Sequence, residues 1–459
     1  MITTTALGLV EECEMYIVGH KIFVRLKDIP MYISKKTKDS IRNRYSHSVE
    51  VGLGTEYLLA NVSRQLGEDI NLNFFNIAKI IGMVHDIGHT AFSHDGEVLL
   101  DKMLLKSSEP LSKRIRFNAN LNNFRRIEKY GLFDLLGEEI KQYALASLIK
   151  RKKELLQYPE YSYLEEYLAY AIRVEEEYLA SHGIDLSNST NKTILCQAMD
   201  LADENRYRVT DIIDALNIYS KQKLKEILLR SIHSEVRVKD IRKLVTLQVD
   251  QVQKTKEKYS DKMKIKDLLI MLLNQESHAK TEFQNVMNSI SMAFNRNFRL
   301  SKKGKLVPIY DEIEKLRDEF NQLASIYIWG AKKVKNIKKP YNHYFKTVSD
   351  YFINQNFDIA FIDSSSYKTA LWSLQNSTFD KEETRYQTLL LMRNFLGGLT
   401  NLKIIELYKK IKMAELEQQL GYELNNKERL LLKEPIVLFE KKLEKYQKRI
   451  FKSMNTSGS

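Results

Sequence analysis

Apolar residues recur at helical spacing along most of the chain. Over residues 41–65, Val49, Leu53, Tyr57, Leu58 and Val62 fall at intervals that predict a helix. Over 74–87 the apolar positions point to every side (Phe74, Phe75, Ile77, Ala78, Ile80, Ile81, Val84), which is the pattern of a buried helix, and Gly88 is a natural stop for it. Residues 137–157 and 161–180 read as helices on either side of Pro159. Residues 192–218 read as a strong amphipathic helix, and helical patterns continue through 220–300. The stretch "SKKGKLVP" (301–308) is the best linker candidate, because Gly and Pro punctuate a basic run. The remainder is helical again and ends in the polar "NTSGS". The sequence has no internal repeat and no extended low-complexity segment.

Composition sharpens this to an all-α fold. Among 459 residues there are only 6 Pro and 17 Gly, and 43% are hydrophobic, enough for a large core. No apolar run approaches the roughly 20 residues of a membrane span, and the N-terminus lacks the basic start and apolar stretch of a secretory signal. Cys13 and Cys196 stand far apart, in no metal or redox spacing. These features lead to the expectation of a cytoplasmic protein with no membrane partner. The net charge of +13 makes phosphates natural partners, although Lys on solvated helix faces explains much of such an excess. The charge is uneven. "GAKKVKNIKKP" (330–340) and the stretch from Lys409 onward are Lys-dense, so the basic C-terminal helices are a candidate surface for single-stranded nucleic acid.

The chemistry concentrates in "MVHDIGHTAFSHDGE" (83–97), which holds three of the nine histidines. His85 and Asp86 close the apolar helix. A buried pair of this kind is either a satisfied hydrogen-bonded pair or part of the shell of a divalent metal. His47 lies on the preceding helix beside Arg42 and Arg44. On the helix over 192–218, Asp203, Tyr207, Asp211 and Asp214 share an arc of about 80° opposite the apolar stripe. That arc is either a solvated face or the wall of a cleft with Asp203 as a metal ligand; periodicity does not choose between them.

In order along the chain, His47, His85-Asp86 and Asp203 resemble the H…HD…D pattern of the HD-domain metal-dependent phosphohydrolases. The flanking residues narrow the resemblance to the dGTPase-like deoxynucleoside triphosphate triphosphohydrolases. "RNRYSHSVEV" is similar to that branch's Arg-x-Arg-x-Thr-His-Ser-x-Glu-Val. "HDIGHTAFSHDGE" resembles its His-Asp-x-Gly-His-x-x-Phe-x-His-x-Gly-Glu, and "FNANLNNFR" (117–125) its Phe-x-x-Asn…Arg. "ALASLIK" (144–150) looks like the segment ending in its phosphate-contacting Lys. "LADENRYRVTDIIDA" resembles its Ala-Asp-x-x-x-Tyr-x-x-x-Asp-x-x-Asp-Ala helix, and "NFLGGLTNLKIIELY" (394–408) more weakly its Gly-Met-Thr-Asp stretch. The clear matches lie between residues 42 and 215. Departures are Asn401 at the usual Asp, Leu399 at the usual Met, Thr90-Ala91 where Pro is usual, and "RKK" after Lys150 where Tyr-Pro is usual.

The resemblance implies an HD-domain core over 1–230 with a helical insertion, and a C-terminal helical region over 231–459. It implies hydrolysis of dNTPs, dGTP among them, to deoxynucleoside and inorganic triphosphate. One divalent ion per subunit, Mg or Mn ahead of Fe, Ni, Co or Zn, would be held by His47, His85, Asp86 and Asp203. His94 with Glu97 would handle protons, and His89 would contact phosphate oxygens. Arg44 and Lys150 would clamp phosphate, Asn120 would line the pocket, and Tyr207 with Asp211 would face the sugar and exclude a 2′-hydroxyl. Relatives are usually homo-oligomers. Two other readings stand beside this one: a single-stranded nucleic-acid-binding protein on the same scaffold, and another HD reaction such as a 5′-nucleotidase or phosphodiesterase.

Overall fold

The computed structural model describes residues 4–31, 42–66, 75–155, 157–185, 192–245, 259–274, 279–329, 332–354, 361–362, 364–420, 425 and 429–456. Helices dominate them, and one two-stranded antiparallel sheet is present, so the fold is all-α as expected. No helix among the described residues is long and apolar enough to cross a membrane. The helices used below are α1 (Thr4–Gly19), α2 (Arg44–Gln65), α3 (Ala78–Val84), α4 (Ser93–Ser107), α5 (Ala119–Lys129), α6 (Glu138–Ala146), α7 (Leu164–Ala180), α8 (Ile194–Ile218), α9 (Lys221–Ser231), α10 (Ala279–Arg296), α11 (Asp311–Leu323), α12 (Lys381–Leu396), α13 (Asn401–Leu420) and α14 (Ile436–Thr456).

The chain forms two compact units: residues 1–88 with 120–337, and residues 89–119 with 338–459. The boundary expected near residue 230 therefore falls inside the first unit. The linker expected over 301–308 is corrected too. It lies within a hairpin of β1 (Phe298–Leu300) and β2 (Leu306–Pro308), paired Arg299 to Val307 and turned at Gly304 with φ +65°. Asn61 and Gln65 of α2 pin β1 by donating to the Phe298 carbonyl at 2.9 and 3.1 Å.

In the first unit, α2 crosses α3 and α8 around a core that includes Leu58, Val62, Ile80, Ile81, Leu195 and Met199. The α2–α3 crossing is made by two glycines. A Cβ added to Gly82 would lie 2.6 Å from the Gly52 Cα and 2.8 Å from its nitrogen. Only hydrogen at both positions permits this approach, and it brings the start of α2 against the end of α3. The apolar run over 74–87 is shorter as a helix than its pattern predicts. A single 3-10 turn (Phe75–Ile77) leads into α3, which ends at Val84, so His85 and Asp86 stand in the turn that follows. The helix predicted over 137–157 is also divided, into α6 and a short helix at Lys152–Leu155.

Helix α8 starts where predicted, within two residues. Thr193 caps it by accepting from the Cys196 amide at 3.0 Å. The buried Glu175 of α7 accepts from the Ile194 amide with both oxygens at 2.9 Å, and from the Tyr143 hydroxyl at 2.6 Å. A carboxylate at a helix N-terminus meets unpaired N–H groups and the positive end of the helix dipole.

In the second unit, α4 packs against α12. The Thr90 hydroxyl donates to the Leu396 carbonyl at 3.1 Å. Asn401, the residue at the family's usual Asp, accepts from the Phe92 amide at 2.8 Å. Phe92 itself is left-handed (φ 60°), a conformation these two anchors over-determine. The Lys-rich segment 330–340 begins outside the described residues, and the side chains of 332–338 are not described. Part of the basic stretch from Lys409 lies on α13 and α14, where Lys410 pairs with Glu406, Lys412 with Glu415 and Lys448 with Glu444 of the same helix.

Candidate metal centre

Four side chains from three distant parts of the first unit converge. The His47 Nε2 lies 3.0 Å from one oxygen of Asp203 and 3.8 Å from one of Asp86. The His85 Nε2 lies 3.3 Å from Asp86 and 3.5 Å from Asp203. Each has a local reason to be there. Asn43 caps α2 by accepting from the Ser46 amide at 3.0 Å, which sets His47 on the first turn. The glycine crossing carries α3 beside it. Asp203 sits on the third turn of α8, held by the anchors at that helix's start. The acidic arc is not a solvated face: Asp211 and Asp214 are buried, and the Asp203 side chain is 13% exposed.

The geometry suits a cation. The His85 Nδ1–H donates to the Gly82 carbonyl at 2.6 Å, so in the neutral imidazole the lone pair is on Nε2. That lone pair is buried, makes no aligned hydrogen bond, and faces the carboxylate oxygens of Asp86 and Asp203. Lone pairs facing anionic oxygens repel one another unless a positive charge stands between them. Two neutral imidazoles and two carboxylates are a donor set that suits a borderline divalent ion and leaves it nearly neutral. The residues present therefore fit a divalent metal; the ligand atoms of His47, His85 and Asp203 lie within 4.8 Å of one another.

Two fixed cations border this cluster. Arg44, at the first position of α2 and 1% exposed, pairs with Asp86 and reaches the Tyr207 hydroxyl at 3.5 Å. Lys150 pairs with Asp203 at 3.0 Å and Asp200 at 3.4 Å. Burial opposes the charge on both, yet Asp86 beside Arg44, and Asp203 beside Lys150, hold each above its ordinary value. Burial alone would raise the Asp203 carboxyl; Lys150 and His85 hold it well below the usual carboxylate range. Burial keeps His47 below the ordinary imidazole value despite Asp203. At His85, burial works the same way but is outweighed by Asp86 and Asp203. The Tyr207 ring packs 4.6 Å from that of His47, and burial keeps its phenol protonated. Asp211 lies one turn further along α8.

Asn120 is half-buried at the second position of α5. Asn123 donates to the His85 carbonyl at 2.5 Å and accepts from the Gly88 amide at 2.5 Å, while Asn122 donates to the Gly88 carbonyl at 2.7 Å. These two amides clamp both ends of the turn that carries His85 and Asp86. Nothing in the sequence marked them apart from Asn120, two and three residues before them. Asp200, the second partner of Lys150, was also not singled out.

In the second unit, His94 Nδ1 and Glu97 lie 3.2 Å apart, and the other Glu97 oxygen accepts from the Ala119 amide at 2.8 Å. The His89 ring stands edge-on to His94 at 4.8 Å. Burial alone would raise the Glu97 carboxyl, but the bond to His94, nearby His89 and the Ala119 amide hold it below its ordinary value. His94 is 70% exposed.

No protein-family model matches the chain. Over 178 residues, 38% of this chain and 39% of the relative, it is 28% identical to the deoxyguanosinetriphosphate triphosphohydrolase-like protein 2 of Vibrio cholerae. It is 33% identical over 118 residues to a deoxyguanosinetriphosphate triphosphohydrolase-like protein of Clostridium tetani, covering 25% of this chain and 29% of that one. A protein of the same name from Rhizobium etli matches at 28% over 204 residues, 44% of each chain. The chain thus spans less than half the length of these curated relatives. At this identity and coverage, the matches support kinship with the deoxyguanosinetriphosphate triphosphohydrolase-like proteins at the level of the family.

Proposed function

We propose that this chain is a metal-dependent hydrolase that converts dNTPs, dGTP among them, to deoxynucleoside and inorganic triphosphate. The observation that carries the reading is the buried His47, His85, Asp86 and Asp203 cluster, with the His85 lone pair facing two carboxylates and two fixed cations alongside. Magnesium or manganese is the first choice of ion. When bound, such an ion supplies Lewis-acid polarisation of a phosphate oxygen and lowers the pKa of water.

Water attacks the α-phosphorus, and the bond from that phosphorus to the 5′ oxygen breaks. The triphosphate repels an anionic nucleophile, so positive charge must be arranged beforehand. Arg44 and Lys150 provide it at fixed positions. Arg44 is oriented by Asp86 and Tyr207, and can fork two oxygens; Lys150 offers a point charge. Tyr207 and Asp211 follow Asp203 at four-residue intervals along α8. A tyrosine face against the 2′ carbon leaves no room for a ribose hydroxyl, and Asp211 can accept from a 3′-hydroxyl. The resemblance adds proton transfer by His94, oriented by Glu97, and phosphate contact by His89.

The test is incubation of the pure protein with each dNTP, alone and mixed, with magnesium or manganese. Nucleoside and triphosphate should appear in equal amounts. His85→Ala and Asp86→Ala should abolish turnover while keeping the helical circular dichroism. Full activity in either variant would sink the assignment of the metal ligands.

A further inference from the structure

The second unit gathers a further set of ligating side chains. A ring nitrogen of His89, one of His94 and a carboxylate oxygen of Glu97 all lie within 4.8 Å of one another. The reading above gives these residues separate tasks, phosphate contact and proton transfer. The backbone holds them as one group.

His94 and Glu97 are three residues apart on the first turn of α4, which puts them on one face. His89 precedes that helix, and an extended chain would carry it away. Two features bring it back. Phe92 and Ser93 are consecutive left-handed residues, with φ 60° and 56°. Gly96 has hydrogen where any other residue would place a Cβ 2.0 Å from the Ala91 carbonyl oxygen. The segment that follows His89 is thereby laid against the turn that carries His94 and Glu97. The two imidazole rings then stand at 83° with centroids 4.8 Å apart. Left-handed non-glycine residues cost energy and cluster where a site needs its geometry held.

Two imidazoles and one carboxylate are the donors of three-ligand zinc sites, which keep a fourth position open. Zinc bonds of about 2.0–2.1 Å set tetrahedral neighbours about 3.4 Å apart. His94 Nδ1 and the Glu97 oxygen are already 3.2 Å apart. A hydrogen bond explains that pair alone; the third donor makes it a site. His89 needs at most about 1.5 Å of closure, within the reach of side-chain rotation. The other Glu97 oxygen accepts from the Ala119 amide at 2.8 Å, so the carboxylate is oriented from behind. His94 is 70% exposed and gives an ion its way in from solvent. Imidazole donors favour zinc over magnesium and manganese.

We propose that His89, His94 and Glu97 form a second metal site, of zinc type, whose occupation takes His94 out of proton transfer and so inhibits turnover. The inhibition rests on the dNTP-hydrolase reading; the site does not. The probe is zinc chloride, titrated calorimetrically into the full chain after treatment with a chelator. Wild type should take up two ions per chain. His85→Ala, which breaks the first cluster, should keep the second ion. His94→Ala, at an exposed position, should lose it, and Glu97→Gln should weaken it by about tenfold or more. His233→Ala removes an exposed histidine of the first unit and should change neither ion. A single ion in wild type, or a second ion that His94→Ala and Glu97→Gln leave in place, would overturn the site. Kinetics test the consequence. Zinc should inhibit dGTP hydrolysis at saturating manganese, and more manganese should not relieve it. Relief by manganese would put the inhibiting zinc in the first cluster and overturn the inhibitory role. A second zinc bound with turnover undisturbed would keep the site and overturn proton transfer by His94. A second zinc that depends on His94, without turnover of any dNTP, would remove the hydrolase and keep the site.

Discussion

Replacing Gly82 by Ala tests whether the α2–α3 crossing sets the metal cluster. In an ordinary helix the change is favourable, because Ala is about 1 kcal/mol better than Gly in a helix interior. Gly82 should reverse that sign. The added methyl would sit 2.6 Å from the Gly52 Cα, 2.8 Å from the Gly52 nitrogen and 2.7 Å from the Thr55 hydroxyl. Two of these atoms are backbone and cannot swing away, so the helices must part. Overpacking of this kind costs about 1–3 kcal/mol, and two fixed backbone contacts put this site at the upper end, which leaves a net loss of up to about 2 kcal/mol after the gain in propensity. Gly8 in α1 is the internal control, since a Cβ there would meet nothing within 4 Å. Gly8→Ala should raise the urea midpoint and Gly82→Ala should lower it. Parting the helices also separates His47 on α2 from His85 beyond α3, so manganese affinity measured by calorimetry should fall in Gly82→Ala alone. A Gly82→Ala protein that melts at or above wild type, or binds manganese equally well, would refute the argument.

Asn123→Ala should leave the His85 carbonyl and the Gly88 amide buried without partners; manganese affinity should fall by about 10–100-fold, and retention within twofold would show that the turn holds without its clamp. Arg44→Met should destabilise by about 3–5 kcal/mol in denaturant titration, because it strands the Asp86 carboxylate in the interior, and Arg44→Lys should not restore the lost stability in full. Burial raises the Glu175 carboxyl to about 7 from an ordinary 4.5, against the hydrogen bonds from Tyr143 and Ile194. Protonation is then easier in the folded chain, so this group's contribution to stability is full below about pH 4.5 and is lost as the pH rises through 7. The loss is about 3 kcal/mol by linkage. Melting points between pH 5 and 8 should fall more steeply for wild type than for Glu175→Gln, and parallel curves would rule the group out.

The helices were legible because burial on one face imposes a period that the chain repeats locally; α8, predicted over 192–218 and found at Ile194–Ile218, is the clearest case. The segment 301–308 was misread for the opposite reason. Gly304 and Pro308 punctuate a linker and a hairpin alike, and what decides between them is pairing with Phe298–Leu300 and support from α2 and α8. The site divides along the same line. Histidine and aspartate announce themselves by type and order, so His47, His85, Asp86 and Asp203 could be named in advance. Asn123 is one of four asparagines within six residues, and only the fold shows that it faces the His85 turn. Whether the arc on α8 was solvated could not be read either, since burial of Asp211 and Asp214 depends on elements far away in the chain.

The second unit draws on residues 89–119 and then on nothing until Lys338. About 220 residues are therefore synthesised between its two halves. At roughly 5–20 residues per second, the earlier half leaves the ribosome on the order of 10–40 s before its partners exist. During that interval the left-handed Phe92 lacks the Asn401 side chain that anchors it, and Leu100, Leu104 and Phe117 lack the surroundings that bury them. The nascent chain thus carries helix α4 and its flanks between two stretches of the first unit before the rest of the second unit exists. A translation arrest before residue 338 would leave that segment open to chaperones and proteases, and would leave His89, His94 and Glu97 without the helices that complete their unit.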